Sequence, residues 1–61
     1  MKVGDLVTPR RDTYVGYAGP GTLALVIDIS HHPRGTGVCI LVDGRAIWVG
    51  ATMLETVNEA G

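Results

Sequence analysis

The sequence predicts a small all-β domain: one strongly bent antiparallel barrel of five short strands, with a single short 3-10 turn before the last. Three observations predict it. Apolar residues fall in short runs rich in β-branched side chains, which suit a pleated surface. Nine glycines and three prolines divide the 61 residues into pieces too short for a free-standing helix. Asp43-Gly44 lies between two apolar runs, and both residues tolerate the positive φ that a tight hairpin turn demands.

The elements follow in order. Val3-Gly4-Asp5-Leu6-Val7 is the first strand and is expected to stop before Pro9, which cannot donate to a ladder. Residues 10–21 carry Gly16, Gly19, Pro20 and Gly21 and read as a long ordered loop, anchored by Tyr14 and Tyr17. Thr22–Ile29 is the second strand. Ser30–Gly37 reads as a turn cluster. Val38–Val42 is the third strand and Arg45–Val49 returns from the Asp-Gly hairpin. Gly50–Met53 looks like one helical turn, and Leu54–Val57 is the last strand. Sequential strands tend to pair, and closing the sheet removes exposed edges. Gly4, Gly37 and Gly50 stand where such a barrel bends sharply or backbones approach closely.

Composition excludes several classes. A 6.4 kDa chain is one domain, 1–61. Apolar residues at 46% are too many for a disordered chain, yet no run nears the ~20 residues of a membrane span. Lys2 is followed by Gly4 and Asp5 rather than an apolar stretch, so no signal peptide is expected and the setting is cytoplasmic or virion. One cysteine cannot make an internal disulfide. Five Lys and Arg against six Asp and Glu disfavour a strongly basic nucleic-acid binder.

The segments Val3-Gly4-Asp5-Leu6-Val7, Ala24–Ile29, Val42-Asp43-Gly44-Arg45, Ile47-Trp48-Val49 and Leu54-Glu55 together resemble the SH3-like barrel. They are similar to the small stand-alone SH3-like proteins of tailed bacteriophages, cyanophages among them. The resemblance covers nearly the whole chain and implies a fold more than an activity. It implies a phage-encoded interaction or structural protein, either in a virion or acting on a host protein.

The strands carry more apolar surface than one barrel interior needs. Strands with one wet face alternate apolar and polar residues. Here residues 22–29 hold six apolar side chains, and every residue of Val38–Val42 and of 46–49 is apolar. The surplus is expected to form a partner interface of Leu23, Leu25, Ile27, Cys39, Leu41 and Trp48, with Tyr14 and Tyr17. Arg10, Arg11, His31, His32 and Arg34 would form its polar rim. A competing expectation is that residues 10–21 fold back and cover this face with the two tyrosines. Leu25-Val26-Ile27 fits either register, so the sequence leaves open which residues face outward.

Other chemistry is sparse. Cys39 has no local cation or helix terminus to activate it and reads as a small buried residue. His31-His32 point to opposite sides of an extended chain and do not chelate one ion. Asp28 is the one acid inside an apolar run and reads as the solvent side of its strand or a partner of Arg45. No acid pair has spacing for general acid–base catalysis. The SH3 peptide-binding segments are absent, with no Ala-Leu-Tyr-Asp-Tyr and no Trp-Trp pair. Type II dihydrofolate reductases, which are oligomeric SH3-like barrels, have a similar start and end, Gly4-Asp5-Leu6-Val7 and Leu54-Glu55. Their pore motif Val-Gln-Ile-Tyr is replaced here by Arg45-Ala46-Ile47-Trp48. The expectation is therefore a non-enzymatic module with no cofactor or metal and no membrane, bound to protein: itself, a virion or a host protein. The alternative is a ribosome- or nucleic-acid-associated domain of the KOW kind, using its loop arginines.

Overall fold

The computed structural model describes residues 1–16 and 18–57. They form five antiparallel strands in one sheet: β1 (Leu6–Pro9), β2 (Ala24–His32), β3 (Gly35–Val42), β4 (Arg45–Gly50) and β5 (Leu54–Thr56). A 3-10 turn, Ala51–Met53, joins β4 to β5. The spatial order is β4-β3-β2-β1-β5. No helix among these residues is long and apolar enough to cross a membrane.

The core comes from alternate residues on one side of these strands. Val7, Ala24, Val26, Val38, Ile40, Val42 and Leu54 are buried there, with Ile29, Ile47 and Val49 packed against them. Register explains the set. Val26 pairs with Ile40 and Ile40 with Ile47, so one cross-strand row lies inside. Residues from both edge strands, Leu54 of β5 and Ile47 of β4, reach this one cluster, so the sheet curls around it. It does not close. β4 and β5 share no ladder, and the expected closed barrel is corrected to a curled open sheet. β5 has only three residues, and the 3-10 turn carries the chain across the open side.

The described residues of 10–21 plug the concave side through Val15 and Ala18. Val15 and Ala18 exchange two backbone hydrogen bonds of 2.9 Å, and both side chains are buried in the core. The expected anchoring by Tyr14 needs correction. Tyr14 is exposed with its ring over Gly19, and the smaller Val15 and Ala18 do the anchoring. Tyr17 lies outside the described residues.

Several boundaries also differ from expectation. β1 begins at Leu6 and not at Val3, because Val3-Gly4 is a turn with Gly4 at φ 97°, and β2 begins at Ala24 and not at Thr22. Pro9 closes β1 instead of lying beyond it: it is buried opposite Leu54, at a terminal position where its missing N–H costs no ladder bond. Ser30–Gly37 is mostly ladder, with Ser30 opposite Gly37, His31 opposite Thr36 and His32 opposite Gly35. Only Pro33 and Arg34 turn, because the proline ring presets the corner φ.

The Asp43-Gly44 hairpin is as expected. Asp43 has φ 55° and Gly44 φ 77°, the left-handed pair of a type I′ turn. A Cβ at Gly44 would meet no atom within 4 Å, so only backbone strain opposes it. Gly44→Ala should therefore cost about 1 kcal/mol, a melting-point drop of roughly 4–8 °C for a domain this size. Thermal denaturation followed by circular dichroism reads it directly.

Ahead of β1, the Asp5 carboxylate accepts the Lys2 backbone N–H at 3.0 Å and lies 3.5 Å from Lys2 Nζ. The backbone hydrogen bond, aided by the lysine charge, holds the Asp5 pKa below the usual aspartate range. A depressed folded-state pKa gives stability that is present above the unfolded value and lost as pH falls through the folded one. A carbon-detected NMR titration should place the Asp5 midpoint below that of an aspartate in an unstructured peptide, and Lys2→Pro, which deletes the donor N–H, should move it back up.

Candidate interaction surface

The outward face is defined by the same register that defines the core. Leu6 pairs with Leu25, Leu25 with Leu41, and Leu41 with Ala46. Directly opposed residues share a face, so these four side chains make one apolar row across four strands. Leu6, Leu25 and Leu41 are 40%, 38% and 38% exposed. In the neighbouring row Asp28, Cys39 and Trp48 are opposed, and Trp48 is 55% exposed.

A β-bulge on β2 supplies the rest. Between Val26 and Asp28 the register shifts by one, leaving Ile27 as the extra residue. Val26 and Ile29 can then both face the core although they are three positions apart. Ile27 is left outside beside Leu25, and Leu23, just before β2, is more exposed still. The ambiguous run therefore resolves as Ala24, Val26 and Ile29 inward, and Leu23, Leu25 and Ile27 outward. Asp28 marks the outer side, where its carboxylate accepts the Ile29 N–H at 2.8 Å.

The described residues of loop 10–21 do not cover this row; Tyr17, the other half of the competing expectation, lies outside them. The loop packs on the opposite side through Val15 and Ala18, with Gly16 beside Ile47 Cδ1. Tyr14 accordingly sits with the loop and not in the row. Cys39 is buried, as its reading as a small buried residue expects, and so drops out of the expected contact set. Register puts it on the outer face, but this small side chain lies low between Asp28 and Trp48 and is only 5% exposed. It contributes packing beneath the surface, not contact area upon it.

Beyond Trp48 the face drops into an open groove of about 430 Å³ lined by Ser30, His32, Gly37, Trp48, Val49 and Gly50. Gly37 and Gly50 are directly paired, so two absent side chains make the hollow. The indole lies over Gly37, where a Cβ would meet Cε3 at 3.7 Å. Ser30 Oγ and His32 Nε2, 2.9 Å apart, form a polar wall.

The rim residues are scattered. Arg10 is a tether: its Nε donates to the Thr52 carbonyl at 2.9 Å and its backbone N–H to that of Met53 at 3.0 Å. Arg11 is exposed in the loop and Arg34 at the β2–β3 turn. His31 and His32 occupy opposite faces of β2; His31 Nδ1 lies 3.4 Å from Thr36 Oγ1. Arg34 and Arg45 flank opposite ends of β3, an eight-residue strand about 25 Å long, so no basic stripe joins them. Among the described residues no three His, Cys, Asp or Glu side chains gather where they could hold a metal. Leu6 and Ala46 are members of the row that sequence reading missed. Leu6 was legible beside inward Val7; Ala46 becomes visible only from its pairing with Leu41.

Comparison with protein-family models, with curated proteins and with solved structures gives no match.

Proposed function

We propose that this chain is a non-catalytic, SH3-like interaction module of the phage-encoded kind its sequence resembles, and that it assembles through the convex apolar face, with further copies of itself as the first occupant. One observation carries the reading: the Leu6–Leu25–Leu41–Ala46 row, with Ile27 and Trp48 beside it, faces outward while Val15 and Ala18 of the long loop pack on the other side. Covering the exposed part of each such side chain contributes on the order of 1 kcal/mol. The exposed parts of Leu6, Leu23, Leu25, Ile27, Leu41 and Trp48 together amount to roughly 500 Å², against about 800 Å² per partner in a standard interface. The groove and its polar wall lie next to the row and would supply much of the remainder. A virion or host protein is the other occupant of the same surface.

Sedimentation velocity over a range from low micromolar to several hundred micromolar tests the reading. The weight-average mass should rise well above 6.4 kDa. A single copy at every concentration would remove self-association as the role of this face.

A further inference from the structure

Among the described residues β4 is an edge strand whose outer hydrogen-bonding side meets no other strand. In a two-residue hairpin the residues flanking the turn form a hydrogen-bonded pair, and the pattern alternates from there. Val42 and Arg45 flank Asp43-Gly44, so Arg45, Ile47 and Val49 turn their backbone groups toward β3. Ala46 and Trp48 turn theirs away. Within the described residues no backbone hydrogen bond reaches Ala46 or Trp48 from that side.

Proteins usually protect such an edge with a lysine, a proline, a bulge or a very short strand. The other edge, β5, is short, at three residues. β4 has six residues, Arg-Ala-Ile-Trp-Val-Gly, paired to β3 without a register shift; its one charge is Arg45 at the turn end, and the rest of the strand carries no charge, proline or bulge.

We infer that β4 pairs antiparallel with β4 of a second copy, with Ile47 opposite its own equivalent and Ala46 of each copy opposite Trp48 of the other. This register uses the N–H and C=O of Ala46 and Trp48 in both copies. It is self-complementary: the largest outward side chain of the strand meets the smallest that bears a Cβ. It also continues the apolar face, because the row Leu6–Leu25–Leu41–Ala46 runs on into the indole of the second copy. The pairing rests on the self-association proposed above but uses a different surface. Face packing and edge pairing are two separate two-fold contacts, and they close a tetramer of dihedral symmetry where their axes cross at right angles.

Amide hydrogen exchange on the unmodified protein tests it. The Ala46 and Trp48 amides should exchange at least tenfold more slowly at millimolar than at low micromolar concentration; a rate independent of concentration overturns the pairing. Ala46→Pro removes an outward N–H while leaving the β3 ladder whole, so it should keep the strand spectrum and halve the assembled mass. Assembly of unchanged size in Ala46→Pro removes the edge pairing alone and leaves the face. A wild-type chain that stays monomeric removes both.

Discussion

Leu41→Asp leaves the domain folded and removes its face-to-face packing. Leu41 is 38% exposed and sits mid-row between Leu25 and Ala46. In the single chain the new carboxylate reaches water, so the cost to folding is about 1 kcal/mol or less. At a covered interface it has no partner, and two-fold symmetry brings in a second carboxylate nearby. A loss of several kcal/mol in association follows, a factor of 100 or more in the dissociation constant. Sedimentation mass at a fixed concentration should fall by half or more, while the circular dichroism spectrum is retained. Leu25→Asp should behave alike, because it occupies the same row one strand over. If either variant unfolds instead, the outer row is needed to hold the single chain together and is not a free contact face.

Ile40→Ala has the opposite signature. Ile40 is fully buried, between Val26 on β2 and Ile47 on β4. Large-to-small changes at such sites cost roughly 2–5 kcal/mol, from lost transfer energy and the cavity left behind. A core this small supplies only about 3–5 kcal/mol in total. The variant should be largely unfolded at 25 °C and low concentration, with a flattened urea transition. Raising the protein concentration should partly restore it, since association draws on the folded state. A melting curve matching the wild type would show that the core is centred elsewhere.

The succession of strands along the chain was legible because most are bounded by residues with one dominant conformational habit. Asp43-Gly44 takes the left-handed turn its residues favour, and Gly50–Met53 becomes the 3-10 turn with Gly50 as its extended leading residue. Ser30–Gly37 misled for a physical reason. His31, His32, Thr36 and Gly37 are polar or small because the hairpin end is wet, not because the backbone turns there. The long loop misled at Tyr14: an aromatic side chain is a natural anchor, yet this ring is exposed while Val15 and Ala18 are buried beside it. The surplus of apolar surface was evident from composition and pattern. Its address was not, because Leu25-Val26-Ile27 alternates equally well in either register, and a bulge that hides both Val26 and Ile29 leaves no mark in the sequence except Asp28. Closure of the barrel depends on whether two edges meet, a long-range outcome that no local run of residues encodes.

The most direct measurement is NMR relaxation of side-chain protons by a soluble paramagnetic agent, taken at low and at high protein concentration. At low concentration the Leu25, Ile27 and Leu41 methyls and the Trp48 indole should be relaxed strongly, as the ring of Tyr14 on the loop is. At high concentration the convex-face signals should become shielded while Tyr14 stays accessible. Equal relaxation of all these groups at both concentrations would show that no second copy covers the sheet.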